Sequence, residues 1–335
     1  MTINNTKMDN LEVKEAGYFP FEYIVDFLKF LRKNDDIIQI ITYNDFPWGD
    51  DYDYENNYPS ELKNWQKQLS DGSRDRNKIY LLIQHDVDST PERTTALLRE
   101  EERLGIPSNI MIFNRRIKRR HLQNTGELVY TDYRLDYDYL RHLQDKAGFV
   151  ICYHSNAFEQ ALFDVEKASK IFMEDIDALR RHFDISFFSP HGGARSPEGI
   201  TNNILPSPDS LRNSLRWVHT RRKVRFDGDY SDGGINSPKM NPEERDLRDF
   251  VKMWKKGNRY RILLHPQYYN SSPKQSPRMA GTLWYDNLLE FYAADNKMSA
   301  WDDVKLEGFR DTLKGSISQK IFSFRNLLRR LYVRR

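Results

Sequence analysis

Residues 79–88 read IYLLIQHDVD, an apolar run that ends in charged side chains. A short apolar run of this kind predicts a buried strand. Side chains alternate along a strand, so Asp86 and Asp88 point to one face while His85 points to the other. Two carboxylates at the end of a buried strand repel each other and lose hydration, and a cation or a shared proton relieves both penalties. The alternative is a helix cap or turn, because residues 89–92 (STPE) are typical of a helix start.

Strands and helices alternate along the chain, which predicts a parallel β-sheet, either open or closed into a barrel. Predicted strands cover 37–43, 79–86, 106–113, 149–154, 185–191 and 260–265, with one or two more within 217–226; predicted helices cover 20–33, 91–104, 136–146, 165–183 and 247–256. Gly105 is expected to end the second of these helices. Residues 1–75 are predicted to form an N-terminal extension packed on the main domain, which occupies 76–313, and 314–335 forms a separate tail.

The charge of the chain is nearly balanced, with 52 basic and 49 acidic residues among 335, so it gives no reason to expect a nucleic acid partner. Seven of the basic residues lie in 314–335, where there is no acidic residue, which leaves a net charge of −4 on the rest of the chain. An apolar stripe at helical spacing runs through the same tail: Ile317, Ile321, Phe324, Leu328 and Leu331. A basic amphipathic helix of this kind can bind an anionic membrane surface peripherally, and docking on the body or on a second subunit is the alternative.

The cysteine content and the N-terminus bear on location. Cys152 is the single cysteine, so no disulfide can form within the chain. The stretch Met1–Asn10 is polar and lacks the apolar core of a signal peptide. No run of about 18 apolar residues, the length that predicts a membrane span, occurs in the sequence. A soluble cytoplasmic protein is therefore expected.

Four of the eight histidines lie at the C-terminal ends of predicted strands: His85, His154, His191 and His265. These ends meet on one face of a parallel sheet or barrel, where ligands bind. A single such histidine is more often a core side chain, but four of them with Asp86 and Asp88 predict a shared site. One carboxylate and two imidazoles leave a position for water, which is the donor set of catalytic zinc and also suits iron, cobalt, nickel or manganese. A second carboxylate that takes a proton from metal-activated water and a histidine that protonates the leaving group would complete a site for ester or amide hydrolysis.

Four motifs accompany these strand ends: HDVD at 85–88, CYHS at 152–155, SPHGGARSPEG at 189–199 and ILLHPQ at 262–267. Together they resemble the motifs of the polysaccharide deacetylase family, also called NodB-like or carbohydrate esterase family 4, over residues 78–270. The resemblance implies a distorted (β/α)7 barrel that removes N- or O-acetyl groups from glycans. The HDVD branch of this family is often found beside capsule or O-antigen sugar genes, so the implied substrate is an acetylated sugar or glycan precursor of surface polysaccharide.

The resemblance also implies roles for individual residues: a catalytic base, Asp86; a general acid, His265; and metal ligands at Asp88 and His154. Typical members have adjacent Asp residues, whereas Val87 separates them here, so which of them binds the metal stays open; Asp88 lies nearer the mouth and is assigned to the metal. Phe158 stands where the family has a second histidine ligand, and His191 is expected to replace it from the adjacent strand end. If His191 does not bind the metal, the alternative is a catalytically impaired protein that only binds glycan.

Four further residues are assigned to substrate binding: Arg195, Trp217, Tyr230 and Asp232. Arg195 begins an Arg-x-Pro-x-Gly stretch that the resemblance places in the groove wall, and a surface arginine is the alternative. Trp217 is expected to stack on a sugar ring unless it belongs to the core. The stretch 227–234 lacks the twelfth-position Glu of a calcium loop, so a substrate loop or a turn is expected, in which Asp232 contacts substrate or orients a catalytic histidine.

Overall fold

The computed structural model describes residues 18–49, 58–192, 196, 199–202, 215–218, 224–234, 246–271, 273, 283–293, 301, 304 and 306. The predictions for Arg195 and for the basic tail at 314–335 lie outside these residues. Within the described part of the chain, no helix is both long enough and apolar enough to cross a membrane.

The centre of the fold is a parallel β-sheet. Its strands are β2 (Ile38–Ile41), β3 (Ile79–Asp86), β4 (Asn109–Ile112), β7 (Val150–Ser155), β8 (Phe187–Pro190), β9 (Arg216–Trp217), β10 (Gly228–Ser231) and β11 (Arg259–Leu264). Seven of them follow the spatial order β10-β11-β3-β4-β7-β8-β9, and β2 pairs with β3 beside this path. All of these pairings are parallel. The sheet curls into a half-barrel, which confirms the predicted α/β class with a parallel sheet, while the distorted (β/α)7 barrel stays a prediction.

Nine α-helices surround this sheet in the described part of the chain: α1 (Phe21–Lys33), α2 (Tyr58–Asp71), α3 (Pro91–Leu104), α4 (Arg119–Thr125), α5 (Tyr137–Lys146), α6 (Ala157–Gln160), α7 (Val165–Arg180), α8 (Leu247–Val251) and α9 (Leu283–Ala293). Two small pairs complete the fold, β1 (Phe19–Pro20) with β12 (Tyr269–Asn270) and β5 (Arg116–Ile117) with β6 (Tyr130–Thr131). The helix predicted at 91–104 is confirmed. Gly105 ends it with φ of 65°, a left-handed conformation that glycine adopts without strain.

The two faces of β3 pack against different parts of the core. Leu81 and Ile83 lie in the cluster that contains α1, whereas Tyr80 and Leu82 lie in a second cluster with residues of β4, β7 and β8. We call the face of Tyr80 and Leu82 the site face. All eight residues of β3 are buried, as expected for a strand covered on both sides. By the alternation of side chains, Asp86 also belongs to the site face.

The described part of the N-terminal segment contributes a strand to the sheet, while the domain boundaries predicted at residues 75 and 313 stay predictions. Strand β2 pairs in parallel with Ile79–Leu82 of β3. Helix α1 buries its apolar face in the same cluster as Ile262 of β11. Helix α2, which the sequence analysis did not predict, is joined to β11 by an ion pair between Glu61 and Arg259 in which both side chains are buried.

The Glu61→Ala variant is expected to lose about 3–5 kcal/mol of unfolding free energy, because it leaves the Arg259 guanidinium buried without its carboxylate. Arg259 is 1% exposed and donates hydrogen bonds to both carboxylate oxygens of Glu61. Urea denaturation followed by circular dichroism measures the loss. The control is Lys67→Ala, an exposed position on the same helix, with an expected change within about 0.5 kcal/mol. Equal stabilities of the two variants would contradict the prediction.

Candidate metal centre

Three strand ends bring Asp88, His154 and His191 together. Asp88 follows β3, His154 lies in β7, and His191 follows β8, so all three stand at the C-terminal edge of the sheet. Asp88 Oδ1 lies 3.4 Å from His154 Nε2 and 3.7 Å from His191 Nε2. One donor atom from each residue lies within 4.8 Å of the others. These three residues form a candidate metal centre, as predicted.

Each imidazole of the centre is oriented through its other nitrogen. His154 Nδ1 lies 3.2 Å from the carbonyl oxygen of Ser189, and His191 Nδ1 lies 3.3 Å from Glu159 Oε2. An oxygen at that position accepts a hydrogen bond from a protonated Nδ1, which assigns the tautomer of each neutral ring. The Nε2 lone pairs then face Asp88, in the arrangement that metal-binding histidines adopt with a hydrogen-bonded outer partner.

The carboxylates and imidazoles of this centre shift one another's pKa values. Asp88 Oδ1 is buried, and no described residue donates a hydrogen bond of good geometry to it. Burial acts to raise the pKa of Asp88, but the nearby histidines, His191 foremost, lower it well below its usual range. Burial acts to lower the pKa of His154, but the carboxylates of Asp86 and Asp88 raise it. A negative oxygen and two inward-facing imidazoles are donors for zinc, iron, cobalt, nickel or manganese, and the geometry does not choose among these metals.

Asp86 lies beside the metal centre. It is 8% exposed, and its Oδ2 lies 3.7 Å from His154 Nε2. Its Oδ1 accepts a hydrogen bond of 2.7 Å from Gln84 Nε2. The structure therefore groups Asp88 with the two histidines and leaves Asp86 as the neighbouring carboxylate, while the role of Asp86 as a catalytic base stays a prediction.

His265, the residue after β11, approaches the other carboxylate oxygen of Asp88. Its Nε2 lies 3.8 Å from Asp88 Oδ2, and its Nδ1 lies 2.5 Å from Asp232 Oδ1. Asp232 Oδ2 also accepts hydrogen bonds from the His265 backbone N–H, at 2.7 Å, and from the Tyr269 hydroxyl, at 3.2 Å. Burial acts to lower the pKa of His265, but the Asp232 carboxylate outweighs it and raises that pKa to about 10. Asp232 is 2% exposed and contacts His265, so of the two roles expected for it the geometry favours orienting a histidine over contacting substrate.

Three other assignments also change. His85 lies on the face of β3 opposite to Asp86, where its Nε2 is 2.7 Å from Glu101 of α3, so it does not share the site. Tyr230 and Trp217 are 1% and 3% exposed and belong to hydrophobic clusters. Both side chains are therefore parts of the core rather than of an accessible surface, which corrects their assignment to substrate.

Phe158 does not disturb the metal centre. It is 1% exposed and packs with Ala161 and Ala168 in a small apolar cluster. The second imidazole comes instead from His191, whose backbone N–H donates a 2.8 Å hydrogen bond to the carbonyl oxygen of Ser155, at the end of β7. The expectation that His191 takes the place of the histidine missing at 158 agrees with this geometry.

The sequence analysis did not include two residues that support the ligands. Glu159 is fully buried on the four-residue helix α6 and contacts His191. Phe113 follows β4, and its ring lies 5.0 Å from that of His154 and 5.1 Å from that of His191. The only sequence signal for Glu159 was a charged residue inside an apolar stretch, FEQALF at 158–163, shortly after a histidine motif.

The Glu159→Gln variant is expected to bind zinc about 10- to 100-fold more weakly, because the acceptor that orients His191 loses its charge. Competition with a chromophoric chelator measures the affinity. Glu166→Gln, on the exposed first turn of α7, is the matched control and should bind like the wild type. An unchanged affinity in Glu159→Gln would mean that Glu159 does not support the ligand.

No family model, curated protein or solved structure matches the chain. The assignment of a function rests on the residues and the geometry of the site.

Proposed function

We propose that this protein is a metal-dependent hydrolase that removes an acetyl group from an N- or O-acetylated sugar, in the synthesis of a surface polysaccharide. The observation that carries the proposal is the convergence of Asp88, His154 and His191, with a neighbouring carboxylate, Asp86, and a carboxylate-held imidazole, His265, beside them. This is the donor set of a catalytic metal with an acid and a base on either side. The motif resemblance to polysaccharide deacetylases supports the choice of an acetylated sugar.

Asp88, His154 and His191 would hold the divalent ion, most readily zinc. When bound there, such an ion polarises the acyl carbonyl and lowers the pKa of a water molecule to about 7. Ser189 and Glu159 already orient the two imidazoles. The residues of the chain then move the protons.

Asp86 takes the proton of the attacking water in this proposal. Its Oδ1 is occupied by the Gln84 amide, while its Oδ2 lies on the side of His154. A carboxylate with one oxygen held and the other facing the metal centre is positioned to act as a general base.

His265 donates a proton to the departing amine or hydroxyl of the sugar. Its Nδ1–H is held by Asp232, so its Nε2–H is the proton available to the site. The Asp232 carboxylate raises the pKa of His265, which favours the protonated ring. Asp86 at the end of β3 and His265 just after β11 therefore supply a base and an acid from two different strand ends.

Metal-dependent acetate release tests this function. Protein treated with a chelator is expected to release no acetate from acetylated monosaccharides, nucleotide sugars and short glycans, and to regain activity with zinc, iron, cobalt, nickel or manganese. The His154→Ala variant, assayed beside it, should not regain activity. Release of acetate at full rate by the chelated protein would contradict the proposal. Sugar binding without metal uptake or turnover would favour the alternative, a glycan-binding protein.

A further inference from the structure

Gln84 is a buried polar residue on the site face of β3. It stands two positions before Asp86, so the two side chains lie on one face of the strand. Gln84 is 1% exposed and follows the apolar run 79–83. Burying an amide costs free energy unless its donors and its acceptor form hydrogen bonds. The hydrogen-bond partners of Gln84 therefore indicate its role.

The contacts of the Gln84 amide fix its orientation. Gln84 Oε1 accepts hydrogen bonds from the Tyr43 hydroxyl at 2.7 Å and from Arg261 at 3.3 Å. Because a guanidinium only donates, the oxygen of the amide must face Arg261, and the NH2 group must face the other way. That group donates to Asp86 Oδ1 at 2.7 Å.

Arg261 is itself held in place. It is 6% exposed, and its Nε and a terminal nitrogen donate to the two carboxylate oxygens of Asp229 at 2.7 and 3.0 Å. A two-pronged pair of this kind fixes the plane of the guanidinium. Asp229, Arg261, Gln84 and Asp86 thus form a continuous hydrogen-bonded chain from β10 through β11 to β3.

We propose that Gln84 is a positioning residue that holds Asp86 with Oδ1 engaged and Oδ2 turned toward the metal centre. This inference rests on the proposed function, since it assigns the group that aims the base of that reaction. Gln84 is an amide and takes no proton itself, so it acts through Asp86 alone. A displacement of the Asp86 carboxylate by about 1 Å is enough to lower kcat strongly.

A double-mutant cycle with Asp86 tests this role. Gln84→Met is expected to lower kcat about 10- to 100-fold, with KM changed less than about 3-fold and the metal content unchanged. The substrate is the acetylated sugar that the wild type hydrolyses fastest. In the Asp86→Asn background, Gln84→Met should lower kcat less than about 2-fold, because the carboxylate that Gln84 positions has already been removed. Gln39→Met, at an exposed position of β2, is the control and should match the wild type.

A second variant covers the case in which Gln84→Met does not fold. Gln84→Glu keeps an acceptor for Tyr43 and Arg261 but sets a second carboxylate against Asp86 in place of the amide donor, so it should lose kcat to at least the same extent. Equal losses in the wild-type and Asp86→Asn backgrounds would overturn the inference and leave the proposed function standing. A wild type that releases no acetate from any substrate would overturn the proposed function, and this inference with it.

Discussion

The Asp88→Asn variant is expected to bind zinc more than about 100-fold more weakly than the wild type. This loss of affinity exceeds the one usually caused by removing a residue that only hydrogen-bonds to a ligand. Asp88 is the carboxylate of the candidate metal centre, and its Oδ1 stands within 4 Å of both imidazole Nε2 atoms. An amide oxygen keeps the shape of the ligand but not the negative charge that a divalent ion requires. Competitive titration with a chromophoric chelator gives the two affinities.

Asp177→Asn is the matched control, because Asp177 is an exposed aspartate on α7. It should bind zinc as the wild type does. If Asp88→Asn keeps the wild-type affinity, the carboxylate is not a ligand, and the assignment of Asp86 and Asp88 to their two roles must be exchanged or abandoned.

The His265→Gln variant is expected to lower kcat for acetate release about 10²- to 10⁴-fold, the usual range for the loss of a general acid. His265 presents its Nε2 to the metal centre while Asp232 holds its Nδ1. Glutamine can fill part of the space but cannot donate a proton to a leaving group. Steady-state kinetics, with metal content measured on the same sample, separates this loss from a loss of metal.

For this variant, the metal content should stay at about one equivalent per chain, because His265 is not among the three grouped ligands. His182→Gln changes an exposed histidine and should leave kcat as it is. A His265→Gln variant with wild-type kcat would remove His265 from the chemistry and leave the leaving group without an acid.

The site was largely predictable because it stands on strand ends. The strand within residues 79–88 ends at Asp86, as its pattern indicated. Because side chains alternate along β3, Asp86 and His85 lie on opposite faces of the strand. The same topology brings His154 and His191 from neighbouring strands β7 and β8 to one edge. Parallel strands force such ends together, so short apolar runs followed by His or Asp carried most of the information.

The errors come from features that depend on tertiary contacts. Helix α2 was not predicted, because its burial depends on Glu61 and Trp65 rather than on a wide apolar stripe. The stretch at 227–234 was expected to be a loop, yet Gly228–Ser231 forms β10. Strand β10 pairs in parallel with β11. A pairing between distant segments cannot be predicted from the local sequence of either strand.

The burial of aromatic residues also could not be predicted from the sequence. Trp217 and Tyr230 have the side chains of a sugar-binding surface, but the ring of Trp217 packs against Phe188 and that of Tyr230 against Phe250. Aromatic side chains serve cores and binding surfaces equally well, so composition alone does not separate the two uses. Similarly, Glu159 gains its role only because the turn of α6 places it against His191.

X-ray absorption spectroscopy of the zinc-loaded protein tests the central claim most directly. We predict a zinc ion bound by two imidazole nitrogens at about 2.0–2.1 Å together with carboxylate or water oxygen, and the loss of one imidazole in His191→Ala. A spectrum without imidazole scattering, or one that does not change in His191→Ala, would contradict a metal centre built from Asp88, His154 and His191.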